Sequence, residues 1–564
     1  MRYLEDPRQT PLFDVFANIL SPTAYQKLRR GWQHLFRSAI LKRMPVDKLA
    51  DHFHPGLGRP TKELYSMAGL LFIMEFRNWT HEEAADAYMF NVDVQYALNL
   101  QPEQQSLCRR TIERYIGLFR EDELAQAIMH DVTAELVTLL DLDVSQQRLD
   151  STHIESNMAK FGRIRLLSTA IRRFLTQLKR HDEDSYSQLR PGIRDRYESL
   201  PTSIFGWKKL DDEAVTTLRQ SVAEDLAYIV DLYRCNKPHK SRSTYLMLVK
   251  VFEQQCQVEG DRVLIRDKTG GNIVCNPSDP DATLDGHKGS GYQVQLSETC
   301  HPDNKAQLIL AAIPETACQS DSASLVDVVD ALKEQGFLPT QMLADTAYGS
   351  DDNHCHCREE GIDLISPTAG KCPETHIDPQ MFTAAVFPVE MGRNIRANGE
   401  VEHRPQCIVC PAGRFPHRSN YDHDTGQIKV LQHPEICRAC PLVARCPQKL
   451  EFGFSTVTIN PKQIRLIERR RHEQTDDFKV KYRVRSGIES TNSLLKRGTG
   501  LGRLRVRGQK GVFTSILLKV AGWNVLRAAK ALFKVEKSAL FCRTISSIIN
   551  TTPRTRPKSH LLAA

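Results

Sequence analysis

Tyr482-Arg-Val-Arg-Ser-Gly-Ile-Glu-Ser-Thr-Asn-Ser-Leu-Leu-Lys496 places Tyr482, Arg485, Glu489 and Lys496 at offsets 0, +3, +7 and +14. At ~100° per residue, an unbroken helix gathers these four within an arc of roughly 60°. Ile488, Leu494 and Leu495 fall away from that stripe and are expected to face a core. One carboxylate flanked by cations suits a metal site beside a phosphate backbone. Glu489 would ligate the cation, while Arg485 and Lys496 contact phosphates a turn or two away. The same stripe also suits a solvated face on which Arg485 and Glu489 form an ordinary i,i+4 ion pair.

Upstream, two aspartates offer further hard-oxygen ligands. Met342-Leu-Ala-Asp345 reads as an apolar strand ending on a carboxylate, after which Thr-Ala-Tyr-Gly-Ser turns the chain. That pattern fits a catalytic strand end and equally a plain N-cap or loop start. Asp150 closes Arg148-Leu-Asp within the extended candidate Gln147–Ile154. Asp141, Asp143 and Glu155 are its rivals; the first two read as helix-end or turn carboxylates.

The Tyr-x2-Arg-x3-Glu-x6-Lys pattern at Tyr482, Arg485, Glu489 and Lys496 resembles the signature of a group of bacterial insertion-sequence transposases of the DDE type. Ala-Asp345-x-x-Tyr348-Gly-Ser, Asp150 with its following Ser-Thr-His-Ile-Glu-Ser-Asn, and Gly58-Arg-Pro onward resemble other parts of that family. So do Ser278-Asp-Pro-Asp-Ala and Lys288-Gly-Ser-Gly-Tyr-Gln-Val. The resemblance implies an RNase H-like core in which Asp150, Asp345 and Glu489 hold two Mg2+ (or Mn2+) ions ~3.5–4 Å apart. It further implies strand cleavage at element ends and transfer of the freed 3′-hydroxyl into target DNA. Arg485 and Lys496 would hold the phosphate backbone, and Tyr482 would position it rather than act as nucleophile. Terminal inverted repeats and target DNA, both double-stranded, are the implied partners, bound by a homodimer in the bacterial cytoplasm beside the nucleoid. The alternatives are a metal-dependent nuclease without joining and a DNA-binding regulator derived from a transposase.

The rest of the chain reads as an α/β protein built around that core. Residues 1–140 form a helical N-terminal DNA-binding domain, with a capping box at Thr80-His-Glu-Glu83 and an amphipathic run over Glu63–Phe76. Leu107–Arg120 places Arg109, Arg110 and Arg114 beside an apolar stripe of Ile112, Ile116 and Phe119, as a helix-turn-helix-like unit or a plain bundle would. Residues 141–371 hold the first part of the core, interrupted by a helical insertion over about 165–260. Strands are expected at Gly271–Cys275, Tyr292–Ser297, Ala306–Ala312 and Gln341–Asp345, with a helix over Ser324–Lys333. A Cys-rich insertion (372–460) reads as irregular, 461–538 completes the core, and 539–564 reads as a loose tail.

Cys407-Ile-Val-Cys410 and Cys437-Arg-Ala-Cys440 are two C-x2-C knuckles able to supply four thiolates to a structural zinc ion at ~2.3 Å. Cys446, His417, His423 and His433 are alternative ligands. Cys355 and Cys357, alternate residues on an expected helix, point to different faces. Basic residues Arg469-Arg-Arg471, Lys479, Lys481, Arg483, Arg503, Arg505 and Arg507 bracket the Glu489 segment and suit phosphate contact.

Bulk properties bound these readings. A chain of 564 residues exceeds what one core serves, and a net charge of +8 permits a nucleic-acid partner without demanding one. No run of ~18 uninterrupted apolar residues suggests a membrane span, and the N-terminus lacks an apolar signal core. The fifteen cysteines are therefore expected to be reduced.

Overall fold

Leu64–Phe76 is apolar on every side, and the helix it forms is accordingly buried nearly all round. The amphipathic reading of this run is thereby corrected: the helix is central to its bundle, not a half-exposed layer. The structure, a computed structural model, describes residues 1–9, 14–102, 105–198, 211–370, 382, 386–395 and 401–549. Two units divide the chain. The first holds Met1–Val144, Ser151–Ser320 and the chain from Glu489; the second holds Ser145–Asp150 and Asp321–Ile488.

In the first unit, helices Leu64–Phe76, His81–Phe90, Arg109–Glu121 and Leu124–Leu140 share one core with the long helix Gln509–Ile549. The capping box forms at the head of His81–Phe90: Thr80 Oγ1 accepts from Glu83 N at 3.2 Å, and Glu83 accepts from Thr80 N at 2.6 Å. Gln509–Phe533 has the length and composition of a membrane span but is mostly buried inside the protein, as a core helix is. Helix Gln509–Ile549 continues past the point where a loose tail was expected, and Thr552-Pro-Arg-Thr-Arg-Pro-Lys lies outside the described residues.

Strand β1 (Gln146–Glu155) runs through both units. The first unit adds a hairpin of β2 (Cys256–Glu259) and β3 (Arg262–Ile265), then β4 (Thr283–Asp285), β5 (Gly289–Thr299) and β6 (Ile309–Thr316). Antiparallel β4 pairs Gly289–Gly291 of β5, antiparallel β6 pairs Tyr292–Glu298, and β1 is β5's neighbour on the other side of the strand order. A separate core unites helices Arg163–His181, Asp212–Tyr233 and Ser243–Gln255. Gly271–Cys275, expected as a strand, is irregular. Its backbone groups bond elsewhere: Gly271 O accepts from Leu284 N at 2.9 Å, and Val274 N donates to the Gln254 side chain at 2.9 Å.

In the second unit, β7 (Gln341–Leu343) pairs in parallel with the start of β1 and with β8 (Asp363–Ile365). Helices Asp321–Glu334 and Asp351–Glu359 belong to the same α/β layer. The Cys-rich stretch is not irregular. It forms a hairpin of β9 (Val389–Ile395) and β10 (Val401–Ile408) and an antiparallel sheet ordered β11 (Arg418–Tyr421), β12 (Ile428–Gln432), β14 (Phe454–Ile459), β13 (Lys449–Glu451). Its small core is Phe387, Ile408, Ile428, Val430, Val457 and Ile459. Pro, Gly and His masked the alternation in sequence; the strands are short and the turns carry those residues. The protein is mixed α/β with a mixed sheet, rich in helices.

Candidate active site

Asp150 and Asp345 are brought level by strand register. Arg148 of β1 pairs with Leu343 of β7, and each aspartate lies two residues beyond that pair on its own segment. Side chains on neighbouring strands two residues past a paired position return to the same face. Asp150 is internal to β1 rather than at its end, whereas Asp345 follows the end of β7 and caps the next turn, accepting from Ala347 N at 2.9 Å. Both sequence readings of Asp345, strand-end carboxylate and N-cap, describe one residue. Ser366 Oγ donates to Asp345 O at 2.6 Å, and Gly349 lets the chain pass so close to Pro367 that a Cβ would stand 1.9 Å from its carbonyl oxygen.

Between the two carboxylates stands Arg485. Its Nη2 donates to Asp150 Oδ1 at 2.9 Å and lies 3.7 Å from Asp345 Oδ2. Burial raises the Asp150 carboxyl to about 6 despite the guanidinium; Asp345 and Asp321 push the same way. Burial alone would lower the Arg485 pKa, but Asp150, Asp345 and Tyr482 together raise it. The site thus concentrates negative charge where water is scarce and neutralises it only in part.

Arg485 is not on a continuous α-helix with Glu489. Helix Asp476–Tyr482 gives way to a 3-10 turn at Arg483–Ser486, and the α-helix resumes at Gly487–Thr499. A 3-10 turn advances ~120° per residue instead of ~100°, so the stripe expected from a uniform helix is rotated within this segment. Arg148 accounts for the local geometry: its Nη1 donates to Val484 O at 3.2 Å, and a Cβ on residue 487 would stand 1.9 Å from that nitrogen. Glycine at 487 leaves that space to the Arg148 guanidinium, which would have to shift to admit a side chain. Tyr482 stacks on Phe478 with ring centroids 5.6 Å apart.

Glu489 falls in the first unit, in the opening turn of Gly487–Thr499, and is exposed. Thr491 of this helix donates to the buried Glu298 of β5 at 2.8 Å, and Arg527 reaches both at 3.2 Å. Lys519 Nζ donates to Thr499 O at 2.7 Å, bracing the other end. Ile488 and Leu495 are buried as expected, but Leu494 is half exposed. The stem of Lys496 lies over Gly502. His153, three residues beyond Asp150, is half buried with neither ring nitrogen hydrogen-bonded among the described residues. Burial first, then Lys496, holds it below the usual imidazole range and therefore neutral near pH 7.

Several expected phosphate contacts are otherwise engaged. Arg109 pairs with Glu113 at 2.7 Å and Glu82 at 3.3 Å, and Arg114 lies over the Phe53 ring at 5.1 Å; Arg110 is exposed. Arg469 joins Arg465 on the buried Asp351, and Arg470 donates to Gly370 O at 2.6 Å. These two hold the second unit together and are not a solvated basic face. Arg503, Arg505 and Arg507 are exposed.

Asp279 is a residue whose role the sequence hid. Nearly fully buried, it accepts from Ser156 Oγ at 2.6 Å, Tyr292 OH at 2.8 Å and Gly508 N at 3.0 Å. Asp281 accepts from Gln509 N at 3.1 Å, at the head of the long helix. The Asp-Pro-Asp spacing was the available signal, since carboxylates two apart can serve a helix N-terminus and a neighbour together.

The cysteines group differently from their spacing. Cys410, Cys437, Cys440 and Cys446 line one cavity of about 60 Å3, and Cys407 is absent from its lining. Cys407 sits on β10, in register with Glu390 of β9. Burial raises the Cys446 thiol, with Cys437, Cys440 and Cys410 near enough to add to the effect. His417 stacks on Phe454 and His433 packs tilted against both rings, and neither histidine lines that cavity. Among the described residues, no three His, Cys, Asp or Glu side chains already stand as a set able to hold a metal ion.

A family model described as a transposase DDE domain matches residues 409–529. The match supports a DDE transposase, an enzyme acting on DNA. It spans Tyr482, Arg485, Glu489 and Lys496 together with four of the five clustered cysteines, and leaves Asp150 and Asp345 outside. No curated protein matches the chain.

Proposed function

We propose that this protein is a transposase that cleaves DNA strands at the ends of a mobile element and transfers the freed 3′-hydroxyl into target DNA, using an RNase H-like core. The observation that carries the reading is the single guanidinium of Arg485 held between Asp150 and Asp345. A guanidinium between two level carboxylates supports a cation site there, as does the Asp150 carboxyl, which burial raises although the guanidinium is beside it. The donor set fits Mg2+ or Mn2+, which take hard oxygen ligands. Asp150 and Asp345 would hold the metal, with Glu489 as third carboxylate. Bound there, two such ions supply an activated attacking oxygen and stabilise the leaving one.

The chain's own groups do the rest. Arg485, displaced from the carboxylates, turns its fork to a phosphate, the geometry for which guanidinium is suited. Lys496 adds a point charge on the same backbone, and Tyr482 positions the strand. The exposed Arg110 of the N-terminal helical domain contributes affinity for the inverted repeats, as do Arg503, Arg505 and Arg507. Pairing two element ends calls for a homodimer on DNA.

The test is cleavage and joining of labelled element-end DNA with Mg2+, comparing wild type with Glu489→Gln. Metal-dependent joining that the variant loses while still binding DNA is the expected result. Cleavage without joining would mean a nuclease, and binding without cleavage in either protein would mean a regulator; both overturn the proposal.

A further inference from the structure

Two tight turns and a short loop bring four cysteines to the lining of one apolar cavity of the β-rich module. Cys410-Pro-Ala-Gly413 closes with Gly413 N donating to Cys410 O at 2.8 Å, and Gly413 at φ +72 allows the reversal. Cys437-Arg-Ala-Cys440 closes with Cys440 N donating to Cys437 O at 3.1 Å. Val443 N donates to Cys440 O at 3.1 Å, and Cys446 N to Val443 O at 3.2 Å, so the chain curls back onto the same space. Phe387, Pro411, Leu442 and Val457 complete the lining. None of these four cysteines is in a disulfide.

We infer that Cys410, Cys437, Cys440 and Cys446 are the ligands of one structural zinc ion, with Cys407 outside the set. The fifth cysteine fails on position, not on chemistry: a strand residue in ladder register with Glu390 is absent from the cavity lining. Four thiolates around a soft divalent cation form a closed tetrahedral site with no open position for chemistry. Among the described residues the four thiols do not already stand as a metal-holding set, so binding requires them to close inward across a cavity of about 60 Å3.

The module also needs such a cross-link. Among the described residues its core is small, six buried apolar side chains with a few partly buried ones around them, and small modules are commonly stapled by a metal or disulfides. Zinc binding releases the thiol protons and adds its free energy to folding. The inference does not rest on the transposase reading, since a structural metal here would serve any function.

Metal content of the full-length protein, purified without added metal and measured by mass spectrometry, tests it. One zinc per chain is expected, retained in Cys407→Ser and reduced at least several-fold in Cys440→Ser and Cys446→Ser. If a serine variant fails to fold, Cys446→His provides a second ligand-competent variant, expected to keep zinc. Cobalt exchanged into the wild type should show a thiolate charge-transfer band. A wild type with negligible zinc, a disulfide among the four cysteines, or zinc lost from Cys407→Ser but kept by Cys446→Ser would each overturn the assignment.

Discussion

Arg485 meets Asp150 at 2.9 Å across 335 residues of chain, and the carboxyl it meets still titrates near 6. A close cation ordinarily lowers a carboxyl pKa, so the raised value measures how strongly burial and Asp345 oppose the ionised form. Without metal, the ionised Asp150 carboxyl is a local cost to the fold that Arg485 offsets only in part.

That cost has a pH signature. A carboxyl free in the unfolded chain titrates near 3.9. Between about pH 4 and 6 the native state therefore binds more protons than the unfolded state, and stability falls as pH rises through that window. Above pH 6 the whole cost is present. Asp150→Asn, which cannot ionise, should stabilise the metal-free protein at pH 7.5 by roughly 1–3 kcal/mol and have little effect at pH 4. Thermal denaturation in chelator at both pH values measures this; a variant less stable than wild type at pH 7.5 contradicts it.

Removing Arg485 should act in the opposite direction. Arg485→Ala removes the guanidinium that stands between Asp150 and Asp345, which should cost about 2–4 kcal/mol at neutral pH. The loss should shrink near pH 5, where Asp150 takes up a proton, and Mg2+ should restore part of it. Denaturant unfolding with and without Mg2+ reads both effects.

Gly487 should accept a side chain only when the Arg148 guanidinium gives way. Gly487→Ala forces a methyl into the guanidinium and should cost roughly 1–3 kcal/mol. Combining it with Arg148→Ala should give a non-additive result, with a coupling of at least ~0.5 kcal/mol. Additivity would mean that the methyl is accommodated elsewhere.

Asp279 and Asp281 should separate cleanly. Asp279→Ala strands three donors in a buried place and should cost more than ~2 kcal/mol, whereas Asp281→Ala removes one exposed cap and should cost about 1 kcal/mol or less. Chemical denaturation of the two variants ranks them.

The charge-bearing positions were legible because their chemistry dictates residue type. Asp345 showed itself as a carboxylate after an apolar strand, and Arg485 as a cation one helical turn before Glu489. What stayed hidden depends on which segments meet. Arg148 looked like an ordinary strand residue, and only the space above Gly487 gives it a role. The 3-10 turn at Arg483–Ser486 has no sequence signal of its own; helix periodicity assumes one pitch throughout. Cys407 and Cys446 show the same limit, since spacing favours the tidy pair of knuckles while the cavity is lined by Cys446 and not by Cys407. Leu64–Phe76 illustrates the converse, because an apolar run with one glutamate reads as a face until its neighbours surround it.

Long-range closure of the first unit also has a timetable. Gly508 donates to Asp279 from 229 residues further on, and Lys519 and Asn524 reach back to Glu75 and Thr133 across 444 and 391 residues. A ribosome adding ~5–20 residues per second needs roughly 11–46 s between making Asp279 and making its partner at Gly508. Throughout that interval the N-terminal helices exist without the helix that fills their core, and contacts of such sequence separation are slow to form. Nascent and C-terminally truncated chains therefore expose the apolar faces that Gln509–Phe533 will cover. That helix acts as a keystone: the bundle made early in synthesis closes only when a segment made hundreds of residues later drops into it.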